Sequence, residues 1–285
     1  MKNEKAINLL VSLIIVSALF AAGMGLFYRN PGQSYSYTSH RGEDVIINGQ
    51  GLYYYDTVSM AAQQQGNDLI VLVVGLPLLI LSCRLASRGF LRGKLLLTGT
   101  LGFFLYTYMS MAMLTSFNQL FLVYVALFGL SLYGFILSIM AINVQKLPEK
   151  FNSGFPRVWI SVLFFAVGGF LILAWLGRIM PPLLKNQTPV LENTTTFVIQ
   201  AMDLAIIVPL TIFAGVSLLR KNPWGYLLAS VVTLKSVTLG LGVSAMAINM
   251  ARRGVPENLF IMVPFLLITL LNLAFGVVLI RNIRE

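Results

Sequence analysis

Between Lys94 and Lys146 the chain runs for 51 residues without one formal charge. A bilayer core of about 30 Å is crossed by roughly 20 apolar helical residues. The stretch is therefore too long for one crossing and suits two, joined by a tight turn. Ser116, Phe117, Asn118 and Gln119 are the polar cluster at its middle. Leu95–Thr115 and Leu120–Asn143 are accordingly predicted to form a transmembrane hairpin.

The same criterion places further spans near residues 6–27, 67–86, 158–178, 197–219, 225–250 and 259–280. The fold class expected is thus an all-α membrane protein with eight transmembrane helices. A soluble domain carries about 25% charged residues, whereas this chain carries 11% with mean hydropathy +0.82. The first run leaves two readings open. Lys2 and Lys5 precede it and Ala21, Ala22 and Gly23 close it, which also fits a signal peptide, although it stays apolar through Phe27.

Charge placement orients the spans. With the N-terminus inside, 13 of the 20 Lys and Arg residues fall on cytoplasmic segments, six fall outside, and Lys235 lies within a span. Positive-inside bias favours this arrangement, with both termini cytoplasmic in a bacterial inner membrane. The excess charge of +10 is then a set of short clusters at helix ends. The expected surroundings are the lipid bilayer, with no nucleic-acid partner. One cysteine and one histidine leave no basis for an internal disulfide or a thiolate–imidazole metal centre. No cofactor, no metal and no catalytic residue are expected, and enzymatic function is the least favoured class.

Polar landmarks recur. Gln65-Gly66-Asn67-Asp68-Leu69 and Gln200-Ala201-Met202-Asp203-Leu204 share a pattern, each followed by a proline, Pro77 or Pro209. Arg88, Gly93 and Leu95-Leu96 find counterparts in Arg220, Gly225 and Leu227-Leu228, and the segment opening at Asn118 echoes the one opening at Asn258. Two parallel four-helix repeats follow as an expectation. One covers 1–150 with an extracytoplasmic loop at 28–66, the other 151–285. In that loop, Asn48-Gly49 between β-prone runs is a hairpin signal, and Asp56 or Thr57 can cap a short helix over 58–65.

Asp203 and Lys235 are the two charges expected deep in the membrane, at depths differing by only a few ångströms at about 1.5 Å of rise per residue. An ionisable residue there is a functional-site hypothesis by default. Gln200 shares a helical face with Asp203, and Asp68 is expected nearer the mouth of a pathway. Tyr106, Tyr124 and Asn272 are further candidate lining residues, since hydrocarbon offers their polar atoms no partners. The function expected is a small-solute or ion translocator, or a membrane protein that binds a small solute or lipid ligand. The competing class is a structural or regulatory subunit whose polar residues only fasten helices.

The segment Gly49-Gln50-Gly51-Leu52-Tyr53-Tyr54-Tyr55-Asp56-Thr57-Val58, the loop Arg88-Gly89-Phe90-Leu91-Arg92-Gly93 and Pro223-Trp224-Gly225-Tyr226 resemble uncharacterised bacterial multi-pass membrane proteins. That resemblance covers most of the chain and implies a membrane fold. It brings no activity and no site residue with it.

Overall fold

A computed structural model describes residues 3–255 and 259–285. Lys2 and Asn258, which entered the charge and repeat arguments, lie outside the described residues. Among the described residues, seven helices are long and apolar enough to cross a membrane: α1 (Glu4–Phe27), α2 (Val58–Ser87), α3 (Leu91–Leu114), α4 (Phe121–Met140), α5 (Arg157–Leu184), α6 (Val198–Leu219) and α7 (Pro223–Arg252). A further helix, α8 (Leu259–Asn282), is apolar over Leu266–Asn282. The chain is mostly helical and has the architecture of an all-α multi-pass membrane protein.

Side chains such as Leu9, Val16, Leu122, Trp159, Leu173 and Leu270 stand outward and exposed. In water such a surface would be a severe aggregation liability, whereas lipid makes it the expected exterior. Buried faces are built from small and aromatic residues. Gly66 brings α2 and α7 to backbone contact, because a Cβ there would lie 2.7 Å from the Met246 Cα. Close approach through small residues is how membrane helices pack without a hydrophobic driving force.

Two tight turns are built alike. After α2 and after α6 the chain reverses within a few residues, and Gly93 and Gly225 sit against the preceding helix ends. A Cβ at Gly93 would come 2.4 Å from the Ala86 amide nitrogen, and one at Gly225 equally close to that of Leu218. Inside α2 and α6 a π-helical turn precedes the proline, at Val71–Gly75 before Pro77 and at Asp203–Ile207 before Pro209. Proline lacks an N–H and its ring crowds the carbonyl four residues back. Widening the helix to a π turn relieves both.

On the face where α2 begins and α3 ends lies a small cap. Its hairpin pairs β1 (Tyr35–Thr38) with β2 (Asp44–Ile47). The reversal falls at Ser39–Glu43, with Gly42 at φ +81°, and not at Asn48-Gly49 as the sequence suggested. Asn48 instead spends its side-chain amide on the carbonyls of Gln50 and Tyr53. With Gly49 and Gly51 both at φ +64°, the tyrosine-rich run coils into turns. Thr57 is the helix cap, its hydroxyl accepting from the Met60 N–H at 3.2 Å. The helix it starts does not stop at residue 65 but continues unbroken into the membrane span. Likewise α5 runs past Pro181 and Pro182 to Leu184, six residues beyond the span end expected near 178.

The cap reaches across to the second half of the chain. The Arg41 guanidinium donates to the carbonyls of Thr194 and Thr195 at 2.7 and 2.8 Å. Glu43 accepts from the N–H groups of Leu191 and Glu192, and the Thr57 hydroxyl donates to Glu192 Oε2. Arg253, just past α7, donates to Asn48 and Gln65. At the opposite end of the bundle, Arg92 donates to the Ile283 carbonyl and pairs with Glu285.

Candidate functional site

A cavity of about 250 Å³ lies between the two halves, walled by α2, α3, α5, α6, α7 and α8. Its lining runs from the cap-side ends of the helices, at Met60, Leu114 and Met250, to mid-bundle at Asp203 and Lys235. No lining residue comes from the far ends of α2, α3, α6 or α7. The wall is mostly aliphatic and aromatic, with a polar strip from Gln63, Gln64, Asn67 and Ser110 on α2 and α3. An apolar pocket with a few convergent polar groups is the usual form of a small-ligand site.

Asp203 lies in the π turn of α6 and is buried. Its Oδ1 accepts from the Tyr106 hydroxyl of α3 at 2.7 Å, and its Oδ2 accepts from the Trp175 indole N–H of α5 at 2.9 Å. Three helices therefore converge on one carboxylate. Lys235, on α7, projects its ammonium over the face of the same tyrosine, Nζ standing 4.1 Å from the ring centroid.

Asp203 and Lys235 do not form a contact ion pair, and Lys235 Nζ has no hydrogen-bond partner among the described residues. Both charges meet Tyr106, Asp203 at its hydroxyl and Lys235 at its ring face. By donating its proton toward Asp203 the phenol becomes more electron-rich, which strengthens its attraction for a cation on its face. A ring face nevertheless accepts none of the three N–H bonds as a lone pair would. The similar depths expected from the sequence are reflected in both residues meeting one side chain.

The other sequence-predicted residues go elsewhere. Asp68 is not near a mouth. It is 1% exposed inside the first half, its Oδ2 accepting from the Tyr53 hydroxyl at 2.6 Å. Gly25 of α1 abuts it so closely that a Cβ would lie 1.9 Å from that oxygen. Tyr124 is buried against Tyr108, ring centroids 6.5 Å apart. Gln200 is buried away from the cavity lining. Asn272 donates one turn back to the Ile268 carbonyl on its own helix, and its Oδ1 has no partner among the described residues. Of the seven candidates, Asp203, Lys235 and Tyr106 come together on the cavity wall.

Trp175 is the site residue that sequence reasoning did not single out. It lies near the end of a predicted span, where a tryptophan ordinarily reads as an interfacial anchor. The extension of α5 to Leu184 leaves it nine residues from the helix end, inside the bundle.

Outside the spans, Asp56 is the perturbed carboxyl. Burial pushes it up to about 6, against hydrogen bonds from Ser116 that pull it down. The Ser116 N–H donates to its Oδ1 at 2.9 Å, which ties the cap to the turn between α3 and α4.

The chain matches no protein-family model, no curated protein and no solved structure. Whatever is concluded about its work must come from the cavity itself.

Proposed function

We propose that this is an eight-span protein of the bacterial inner membrane, with both termini cytoplasmic and the cap outside. In this reading the halves, 1–150 and 151–285, descend from one four-helix unit inserted twice in the same direction. The spacing supports this, because Pro77 and Pro209, Arg88 and Arg220, and Gly93 and Gly225 are each about 132 residues apart by sequence number. The cavity between the units binds a small solute, either to pass it across the membrane or to respond to it.

The observation that carries the proposal is Lys235, a fully enclosed ammonium on a cavity wall with no hydrogen-bond partner. A buried charge left this way costs several kcal/mol by general experience, and a fastener would be expected to have its partner in place. Asp68, which accepts from Tyr53 of the cap, acts as a fastener in the same reading.

Native mass spectrometry of gently extracted protein tests it. A co-purifying small molecule on the wild type that is absent from Lys235→Met supports a ligand site. A bare chain in both proteins, or the same adduct on both, leaves the structural-subunit class standing instead. Orientation is tested by thiol labelling in a Cys83→Ser background, where a cysteine placed at Phe90 should be unreachable from outside intact cells.

A further inference from the structure

We propose that the occupant of the central cavity is a small organic monoanion, a carboxylate on an apolar body, with its charged end on Lys235. This rests on the ligand-binding reading above and names the ligand class.

Charge decides the first part. Asp203 and Lys235 are the formally charged residues among the described residues that line the cavity. Both oxygens of Asp203 already accept a hydrogen bond, one from Tyr106 and one from Trp175. Its negative charge is thus held by two neutral donors, while Lys235 keeps all its donors unspent. A carboxylate satisfies them with charge-assisted hydrogen bonds, the strong kind in a low-dielectric site. A cationic ligand would meet an ammonium that nothing neutralises by contact. A neutral one would leave that ammonium unpaired.

Shape decides the second. Val167, Leu171, Ile207, Leu239, Val243 and Ile268 give the remainder of the wall no charge to offer. A cavity of ~150 Å³ is enough to hold benzene. At about 250 Å³, this one takes a ring or short branched chain with its carboxylate, and a long acyl chain would not fit inside. The lining ends at the cap-side tips of α2, α3 and α7, so the polar strip of Gln63, Gln64 and Asn67 borders the route from that side.

Three near-isosteres of different charge test the class on the full chain in lipid nanodiscs. Benzoate, benzamide and benzamidinium are titrated calorimetrically at neutral pH. Benzoate should bind at least tenfold more tightly than benzamide, with benzamidinium no better than benzamide. Lys235→Met should bring benzoate down to the benzamide level and change benzamide by less than about threefold.

Benzamidinium binding as tightly as benzoate overturns the inference, since Asp203 would then be selecting the charge. So does a benzoate preference that survives Lys235→Met, equal binding of all three, or no binding of benzoate. In each of these cases the wider ligand reading still stands or falls on the co-purification experiment. Because the wild-type series needs no variant, a poorly folding Lys235→Met does not rescue the inference.

Discussion

Each half of the molecule buries an aspartate three residues after a glutamine on the same helix, and the two are treated in opposite ways. Asp68 is sealed. The cap's Tyr53 covers it and Gly25 packs onto it. Asp203 forms part of a cavity wall, held by Tyr106 and Trp175. The prolines suggest why. Pro77 follows Asp68 by nine residues, and Pro209 follows Asp203 by six. Measured from matching prolines, Asp203 lies about 4.5 Å farther from the cap, almost one helical turn. A displacement of three residues is enough to move a carboxylate from beneath the cap to the space between the halves.

The strongest way to break this contrast is to fill the space that seals Asp68. Gly25→Ala should cost about 3 kcal/mol or more of stability, because its methyl overlaps the Asp68 carboxylate. Gly169→Ala, on α5 with open space around it, should be neutral or slightly stabilising. Thermal unfolding in detergent reads both, and equal losses would show that the first site is no tighter than the second helix surface.

Next come the two tyrosines. Tyr53→Phe should cost about 2–3 kcal/mol, since it leaves the buried Asp68 side chain without its hydrogen-bond donor. Tyr106→Phe should cost less, about 1–2 kcal/mol, because Trp175 still donates to Asp203 and the ring face under Lys235 remains. A reversed order would mean that the cavity wall, and not the sealed site, is the rigid one.

The seal should also respond to pH through Asp56. Its carboxyl is raised from 3.8 to about 6 by burial, so folding favours its protonated form. That contribution is complete below about pH 4 and is lost as pH climbs through 6. The melting temperature should therefore fall between pH 4.5 and 7, by the equivalent of about 2 kcal/mol. Asp56→Asn should flatten that slope.

The smallest expected effect has the opposite sign. Lys235→Met removes an ammonium without a hydrogen-bond partner, so the empty protein should gain about 1 kcal/mol. A loss instead would show that its stacking on Tyr106 outweighs its missing hydrogen bonds.

Much of this architecture could be read from hydropathy. The uncharged run from Leu95 to Gln145 resolved into α3 and α4 with its turn at the predicted polar cluster, because a membrane span announces itself by composition. Helical rise set Asp203 and Lys235 at similar levels, and both meet Tyr106. Which face each polar residue presents did not follow. Asp68 and Asp203 share a local motif, yet their surroundings are set by Tyr53 and by Trp175, one from a loop and one from another helix. The hairpin was misplaced for a similar reason. Asn48-Gly49 has ideal turn chemistry, but its amide is engaged by the coil of residues 50–53, and Gly42 carries the reversal.

Arg41 meets Thr194 across 153 residues of chain, and this spacing bears on how the protein is made. Synthesis delivers the N-terminal half first. The cap's residues are therefore synthesised before the backbone groups they grip exist. Until residues 191–195 arrive, Arg41 and Glu43 lack those partners. Their late capture gives assembly a recognisable last step, so a chain truncated before α6 should expose its cap to protease while the complete chain protects it.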